Sequence, residues 1–258
     1  TDETSLEHAE RINKQSRRSL GVPVLDMVQF HFWSLDQYGR TEEHVMAAQK
    51  LLQLQQSGYI QHLAACNFDV KNLEIMVNAG IPIEANQVQY SLLDRRPEVL
   101  LLPYCREHGI QLTVFGVVAG GLLSDAFLDV PEAAVEKRLN SVSRRMYYSS
   151  LRAWTLGDWS LFQELLRLLR AVADRRGATV TVAQIACIWT LQRMRALGAG
   201  GSIILGIRDA GHVAEHQAIL MGKVADLTSS EMQDIAAVLA RGSAPSGDIW
   251  DRERGWSG

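Results

Sequence analysis

Residues 60–90 read IQHLAACNFDVKNLEIMVNAGIPIEANQVQY. The stretch changes period twice. Ile60 to Asn67 is a short apolar run ending on a polar residue. Val70 to Asn78 carries apolar residues at helical spacing and closes at Gly80. Ile83 to Tyr90 returns to a strand-like run. A strand, a helix and a second strand within about thirty residues form a βαβ unit, which pairs its strands in parallel. The same alternation extends in both directions. Upstream, Leu6 to Leu20 reads as a helix with Arg17 and Arg18 at its electronegative end, stopped by Gly21 and Pro23. Val24 to His31 is the first strand run, and a helix capped by Thr41, with Glu42 and Glu43 in its first turn, runs to Gly58. Downstream, a helix from about Pro97 to His108 ends at Gly109, and Gln111 to Val117 is the fourth strand run.

Residues 118–158 are rich in Gly, Ser, Arg and Tyr with weak periodicity, the composition of a long functional loop. Helical spacing resumes over Leu161 to Arg175 and over Val182 to Leu197, the latter capped by Thr181. Ser202 to Ile207 is the fifth strand run, followed by a helix from about Gly211 to Leu220. The last helix opens at Thr228 with a capping box, Thr228 and Glu231. A Gly-, Ser- and Pro-rich tail begins at Gly242. The reading is α/β, with five strand runs, seven or eight helices, no fixed-length repeat and no dividing linker. Five parallel strands make either an open doubly wound sheet or part of a closed barrel.

Composition bounds the function. The chain has 258 residues, 47% hydrophobic and 21% charged, with a formal net charge of −3; its mean hydropathy is −0.04 and its pI about 6.2. The apolar fraction is ample for a core, which excludes disorder. No apolar stretch is long enough for a membrane-spanning helix, and the acidic balance argues against a nucleic-acid partner. The three cysteines, Cys66, Cys105 and Cys187, form no CxxC pair and no disulfide framework. They read as reduced thiols in the cytoplasm or another reducing compartment, such as an organelle stroma or matrix. No signal peptide is visible, and the first residue is not Met.

If the strands are parallel, their C-terminal ends share one rim, where barrel enzymes carry their chemistry. The rim residues are His31, Asn67, Gln87 and Tyr90, Phe115 and Gly116, and Gly206 and Arg208. One polar residue at a strand end is usually structural; polar or aromatic residues at five consecutive ends point to a binding site. The set suits a nicotinamide. Asn67 and Gln87 offer the donors and acceptors a carboxamide needs, and Phe115 offers a flat ring. Arg208, ahead of a helix, suits a phosphate. His31 can donate to a carbonyl oxygen. No GxGxxG follows any strand, so a Rossmann site is excluded. Two features stay open. Arg144-Arg145 with Tyr147-Tyr148 is either a phosphate- or partner-binding patch or part of a solvated loop. Trp250 and Trp256 either close over a substrate or anchor the tail to a neighbour.

The runs VLDMVQFHF, CNF, ANQVQYSLLDRR, LLPYCREHGI and GIRDAGHVAEH, in that order, resemble the aldo-keto reductases. The resemblance covers residues 1–242, with 243–258 as a C-terminal tail. It implies a (β/α)8 TIM-type barrel, incomplete in this chain because the first three βα units, about 90 residues, are absent. It also implies NADP(H) as cofactor and reversible hydride transfer to an aldehyde or ketone as the reaction. Carried over residue by residue, His31 is the catalytic histidine, and Asn67 and Gln87 are carboxamide ligands. Phe115, with Gly116 beside it, stands where a stacking Tyr is usual, and Cys66 replaces a Ser. Gly206 and Arg208 match the segment near the adenosine 2′-phosphate. His212 and Glu215 lie on the adenine side, where His216 replaces an Asn. Residues 118–124 would lie along the pyrophosphate.

The family's other catalytic residues, an Asp, a Lys and the proton-donating Tyr, have no match. None of the six tyrosines (38, 59, 90, 104, 147 and 148) lies in the corresponding context. The resemblance therefore implies an oxidoreductase that is inactive as this chain. The alternative is a non-catalytic structural or interaction subunit of the same ancestry. Either way the first and fifth strands have open edges, which call for upstream residues, a partner chain or self-association.

Overall fold

A computed structural model describes residues 5–31, 41–208, 210–243 and 245. In chain order the elements are α1 (Leu6–Leu20), β1 (Leu25–Phe30), α2 (Thr41–Gln56), β2 (Ile60–Cys66), α3 (Val70–Asn78), β3 (Ile83–Gln89), α4 (Leu101–Glu107) and β4 (Gln111–Phe115). They continue with α5 (Glu132–Val135), α6 (Val142–Trp154), α7 (Trp159–Asp174), α8 (Val182–Ala196), β5 (Gly201–Ile203), α9 (Ala210–Leu220) and α10 (Ser229–Leu239). The strands form one five-stranded parallel sheet in the order β1-β2-β3-β4-β5. That order settles the architecture. A doubly wound sheet reverses its strand order at a switch point, whereas a barrel adds each strand beside the last. The chain is thus an incomplete (β/α)8 arrangement.

The chain divides into two compact units. Among the described residues, the first comprises 5–31, 41–88 and 100–113, and the second 89–99, 114–208, 210–243 and 245. In the first, β1 pairs β2 from Leu25↔Ile60 to Phe30↔Ala65. β2 pairs β3 from Leu63↔Ile83 to Cys66↔Gln87, with an irregularity between Leu63 and Ala64. Its core includes Leu63, Phe68, Leu73, Met76, Leu101 and Leu112, all at most 2% exposed. Local signals set the helix limits. Ser5 accepts from the His8 N–H at the start of α1 and Gly21, at φ 68°, ends it. Asp69 caps α3 by accepting from the Asn72 N–H.

In the second unit, α7 buries Leu161, Phe162, Leu165, Leu166, Leu169 and Val172, one helical face packed against α8 and α10. The capping boxes at Thr181/Gln184 and Thr228/Glu231 are both formed.

Three elements differ from the sequence reading. The stretch 118–158 is not irregular throughout: it holds α5 and the thirteen-residue α6. That helix is capped by Ser141 and buries only Tyr147, Leu151 and Trp154 among Arg and Ser residues, so its period is faint. The helix placed at Pro97–His108 is split into a 3-10 turn, Arg96–Glu98, and α4. Pro103 is the reason: without an N–H it is tolerated in the first turn of α4 but would break a helix running through it. Finally, β5 is three residues long, and Ile204 to Ile207 lie beyond it. Tyr38, Trp250 and Trp256 fall outside the described residues, as does most of the tail. No described helix is long and apolar enough to cross a membrane.

Candidate functional site

In the first unit His31, Cys66 and Asn67 sit where the strands end, and Gln87 lies inside β3, two residues before its end. His31 follows β1 and is exposed. Asn67 follows β2 and is buried, at φ 58°. This left-handed conformation is one that Asn adopts more readily than most residues. The turn is sewn to β3: the Asn67 N–H donates to the Gln87 carbonyl at 2.8 Å. Asn86 Nδ2 donates to the Phe68 carbonyl at 2.7 Å. Cys66 and Gln87 are register partners, so Cys66, Asn67 and Gln87 are neighbours. Burial pushes the half-buried Cys66 thiol up, away from the reactive thiolate.

In the second unit a cavity of about 790 Å³ brings together Phe115, Gly116, Gly206, Arg208, His212, Glu215 and His216. These are the seven predicted cofactor residues of that unit. The volume is in the range of small-molecule sites. One wall is the glycine turn that follows β4. Gly116 has φ +74°, and a Cβ there would lie 2.6 Å from Tyr147 Oη; a Cβ on Gly120 would lie 2.8 Å from Tyr147 Cδ2. Only glycine lets this turn lie against buried Tyr147 of α6.

The opposite wall is the start of α9. The Arg208 N–H donates to His212 Nδ1 at 3.0 Å, which places the proton of a neutral His212 on Nε2. The His216 ring is stacked on it, 6.3 Å away and inclined by 12°. Gln184 of α8 donates to the Glu215 carbonyl at 2.9 Å. Asp125 accepts from the Val182 N–H and from Arg170, so its charge is engaged.

The sequence reading missed Thr181 and Gln184 as lining residues, whereas Ser124 lies in the 118–124 segment it had placed along the pyrophosphate. Thr181 and Gln184 carried a signal, a helix start just ahead of the fifth strand, but it was legible only as a cap. Tyr90, counted among the rim residues, is instead a core group. It is 1% exposed, and its hydroxyl donates to Glu98 at 2.7 Å. Burial and the Glu98 charge hold that phenol well above its ordinary range. Arg193 closes the cluster on Glu98 at 2.6 Å. Cys187 lines the cavity, and burial pushes its thiol up to about 12.

The sequence profile described as "Aldo/keto reductase family" matches residues 2–240. An uncharacterized oxidoreductase of Schizosaccharomyces pombe is 34% identical over 128 residues, 47% of this chain and 43% of its own length. The NADH-specific methylglyoxal reductase of Escherichia coli is 25% identical over 232 residues, 88% of this chain and 63% of its own. Flagellar radial spoke protein 5 of Chlamydomonas reinhardtii is 28% identical over 121 residues, 46% of this chain and 22% of its own. The chain thus spans less than two thirds of the length of each of these relatives. Among solved structures, the glycerol dehydrogenase of Gluconobacter oxydans superposes with a TM-score of 0.66 at 21% identity, over 95% of this chain and 67% of that one. A profile match that begins ahead of α1 and ends after α10 takes in every strand of the sheet and every wall of the cavity: the chain belongs to the aldo/keto reductase family.

Proposed function

We propose that this chain carries the cofactor-binding part of an NADP(H)-dependent oxidoreductase that reduces an aldehyde or ketone. The observation that carries the reading is the cavity of the second unit, which gathers seven residues chosen from the sequence alone. The donor set there fits a dinucleotide. Arg208 is a cation at the start of a helix, Phe115 is a flat apolar ring, and the glycine turn exposes backbone at close range. Arg208 would hold the 2′-phosphate, Glu215 with His212 and His216 the adenine side, and the turn from Gly116 to Ser124 the pyrophosphate. In the first unit, Asn67 and Gln87 would orient a carboxamide, with Cys66 beside them. When bound, the nicotinamide supplies the hydride.

His31 is assigned to donate a hydrogen bond to the carbonyl oxygen, which polarises it and fixes its orientation. The proton itself calls for a donor such as the family's Tyr, for which these 258 residues offer no match. The chain alone is therefore expected to bind NADPH without turnover. Fluorescence titration with NADPH, followed by incubation with a reactive aldehyde, tests this. Saturable binding with turnover no higher than that of His31→Ala is expected. An absence of binding overturns the cofactor reading, and turnover above the variant overturns the reading of an incomplete centre.

A second reading rests on the match to a flagellar radial spoke protein, with the replacements at Cys66 and His216. Here the fold serves as a structural or interaction subunit, with a partner chain or a second copy along the open strand edges. The same titration separates the two: a chain that binds no dinucleotide favours the subunit.

A further inference from the structure

Of the four residues Arg144, Arg145, Tyr147 and Tyr148, the roles above absorb only Tyr147, as the side chain against the glycine turn. Arg144 is the one placed to act on a ligand. Its guanidinium is held on three sides. Nη1 donates to the Arg138 carbonyl at 2.9 Å and to Asn140 Oδ1 at 3.2 Å, and Nε reaches the Gly120 carbonyl at 3.4 Å. The Phe127 ring supports its face, 5.7 Å from the ring centre. Nη2 has no acceptor among the described residues. It lies over Gly121, where even an added Cβ would be 3.4 Å away. Arg144 and Arg208 line the same cavity, and no described carboxylate lies within ion-pair reach of either. Among the described residues, the acids lining the cavity are Asp125, engaged by Arg170, and Glu215. Burial, and then the like charge of Arg208, holds the Arg144 guanidinium below its ordinary range. Two like charges kept in one cavity with a donor to spare make a site for an anion.

We infer that Arg144 is a pyrophosphate-binding residue of this cavity, its Nη2 donating to the ligand across the Gly120–Gly121 turn while Arg208 takes the separate 2′-phosphate. The inference rests on the dinucleotide reading above. It gives the two arginines different tasks. The pyrophosphate is common to NADH and NADPH, whereas the 2′-phosphate belongs to NADPH alone. Pinning Arg144 in advance removes most of the rotamer freedom that binding would otherwise have to freeze.

The test is a titration of wild-type protein, Arg144→Ala, Arg144→Gln, Arg144→Lys and Arg208→Ala with NADPH, NADH and inorganic pyrophosphate at two salt concentrations. Loss of a charged hydrogen bond predicts that Arg144→Ala and Arg144→Gln bind all three about ten- to a hundredfold more weakly, with a shallower salt dependence. Arg144→Lys keeps the charge and loses the planar fork, so it should fall between. Arg208→Ala should weaken NADPH far more than NADH. A purely structural Arg144 would lower the unfolding temperature while leaving the salt dependence unchanged, and that result overturns the assignment. So does a loss confined to NADPH. If wild-type protein binds pyrophosphate in an Arg144-dependent way but neither dinucleotide, the assignment stands and the cofactor reading fails. If it binds none of the three, both fail.

Discussion

Glu231→Gln removes one charge from a heavily bonded carboxylate in the second unit. Glu231 accepts from Arg176 at 2.6 Å on Oε2 and 2.9 Å on Oε1, from Arg175 at 2.9 Å, and from the Thr228 N–H at 2.8 Å. Both Glu231 and Arg176 have less than a tenth of their side chains exposed. Arg176 also donates to the carbonyls of Ala225 and Asp226, so it ties the end of α7 to the start of α10. The Arg176 guanidinium above all, opposed by burial and helped by Thr228 and Arg175, lowers the Glu231 carboxyl from 4.5 to about 2. That difference corresponds to about 3 kcal/mol.

The sign follows from the direction. A carboxyl depressed on folding contributes fully above the unfolded pKa of 4.5 and loses its contribution as pH falls towards 2. Glu231→Gln should therefore be about 3 kcal/mol less stable than wild type at pH 7, or roughly 6–10 °C in Tm for a chain of this size. At pH 3 less than half of that difference should remain, because part of the wild-type population is then protonated. Urea unfolding followed by circular dichroism at pH 7, 4 and 3 measures it. A difference below about 1 kcal/mol at pH 7, or one that is the same at pH 3, would refute the reasoning.

Two further outcomes follow from the cavity and its surroundings. Gly116→Ala puts a Cβ at positive φ and 2.6 Å from Tyr147 Oη; it should cost about 1–3 kcal/mol in stability, read by thermal unfolding, and weaken NADPH binding in the same preparation. A stable variant with unchanged affinity would show that the turn has room the geometry denies. Cys105 and Cys187, both pushed up to about 12 by burial, should stay unmodified by a thiol reagent at pH 8 in the native protein and react in urea. Mass spectrometry of the labelled peptides reads this, and rapid native labelling of either would contradict their burial.

The sequence was most informative where one local signal decides an element. The limits of α1 and α3 are legible because Ser5, Gly21 and Asp69 act through their own backbone neighbours. The strands were legible as apolar runs, but their polar tips were counted inside them; His31, Asn67 and Tyr90 lie just past the end of the ladder. α6 stayed hidden because its buried side is only three residues wide, and one of them, Tyr147, matters through contacts with a turn more than twenty positions away. The site behaves in the same way. Phe115, Gly206 and Arg208 could be named because strand ends carry chemistry in any barrel. The role inferred for Arg144 could not, since the Gly120 carbonyl, the Phe127 ring and the Arg138 carbonyl aim its side chain, and none of these is in its own helix. Tyr90 fails for the opposite reason. Its position is that of a rim residue, and its hydroxyl is engaged by Glu98.

The cavity's two walls differ in how firmly they are held. The turn from Gly116 to Gly121 is clamped on Tyr147 and Arg144 of α6, whose buried residues belong to the core. The other wall is β5 and α9. β5 has three residues, paired on one side only among the described residues. α9 has eleven residues and none of them is buried, with Leu220 85% exposed; Ile207, ahead of it, is 61% exposed. A helix of that length is marginal without packing, so this element belongs to the low end of local stability. Yet His212, Glu215 and His216 ride on α9, and Gly206 and Arg208 on the segment that joins it to β5. A ligand that bridges the two walls would stabilise the weaker one, and whatever fraction of chains has that wall in place scales the affinity observed. A strand paired to the free edge of β5 would raise that fraction without touching the ligand. A ligand and a paired strand that both order this wall would strengthen each other's binding by the same factor.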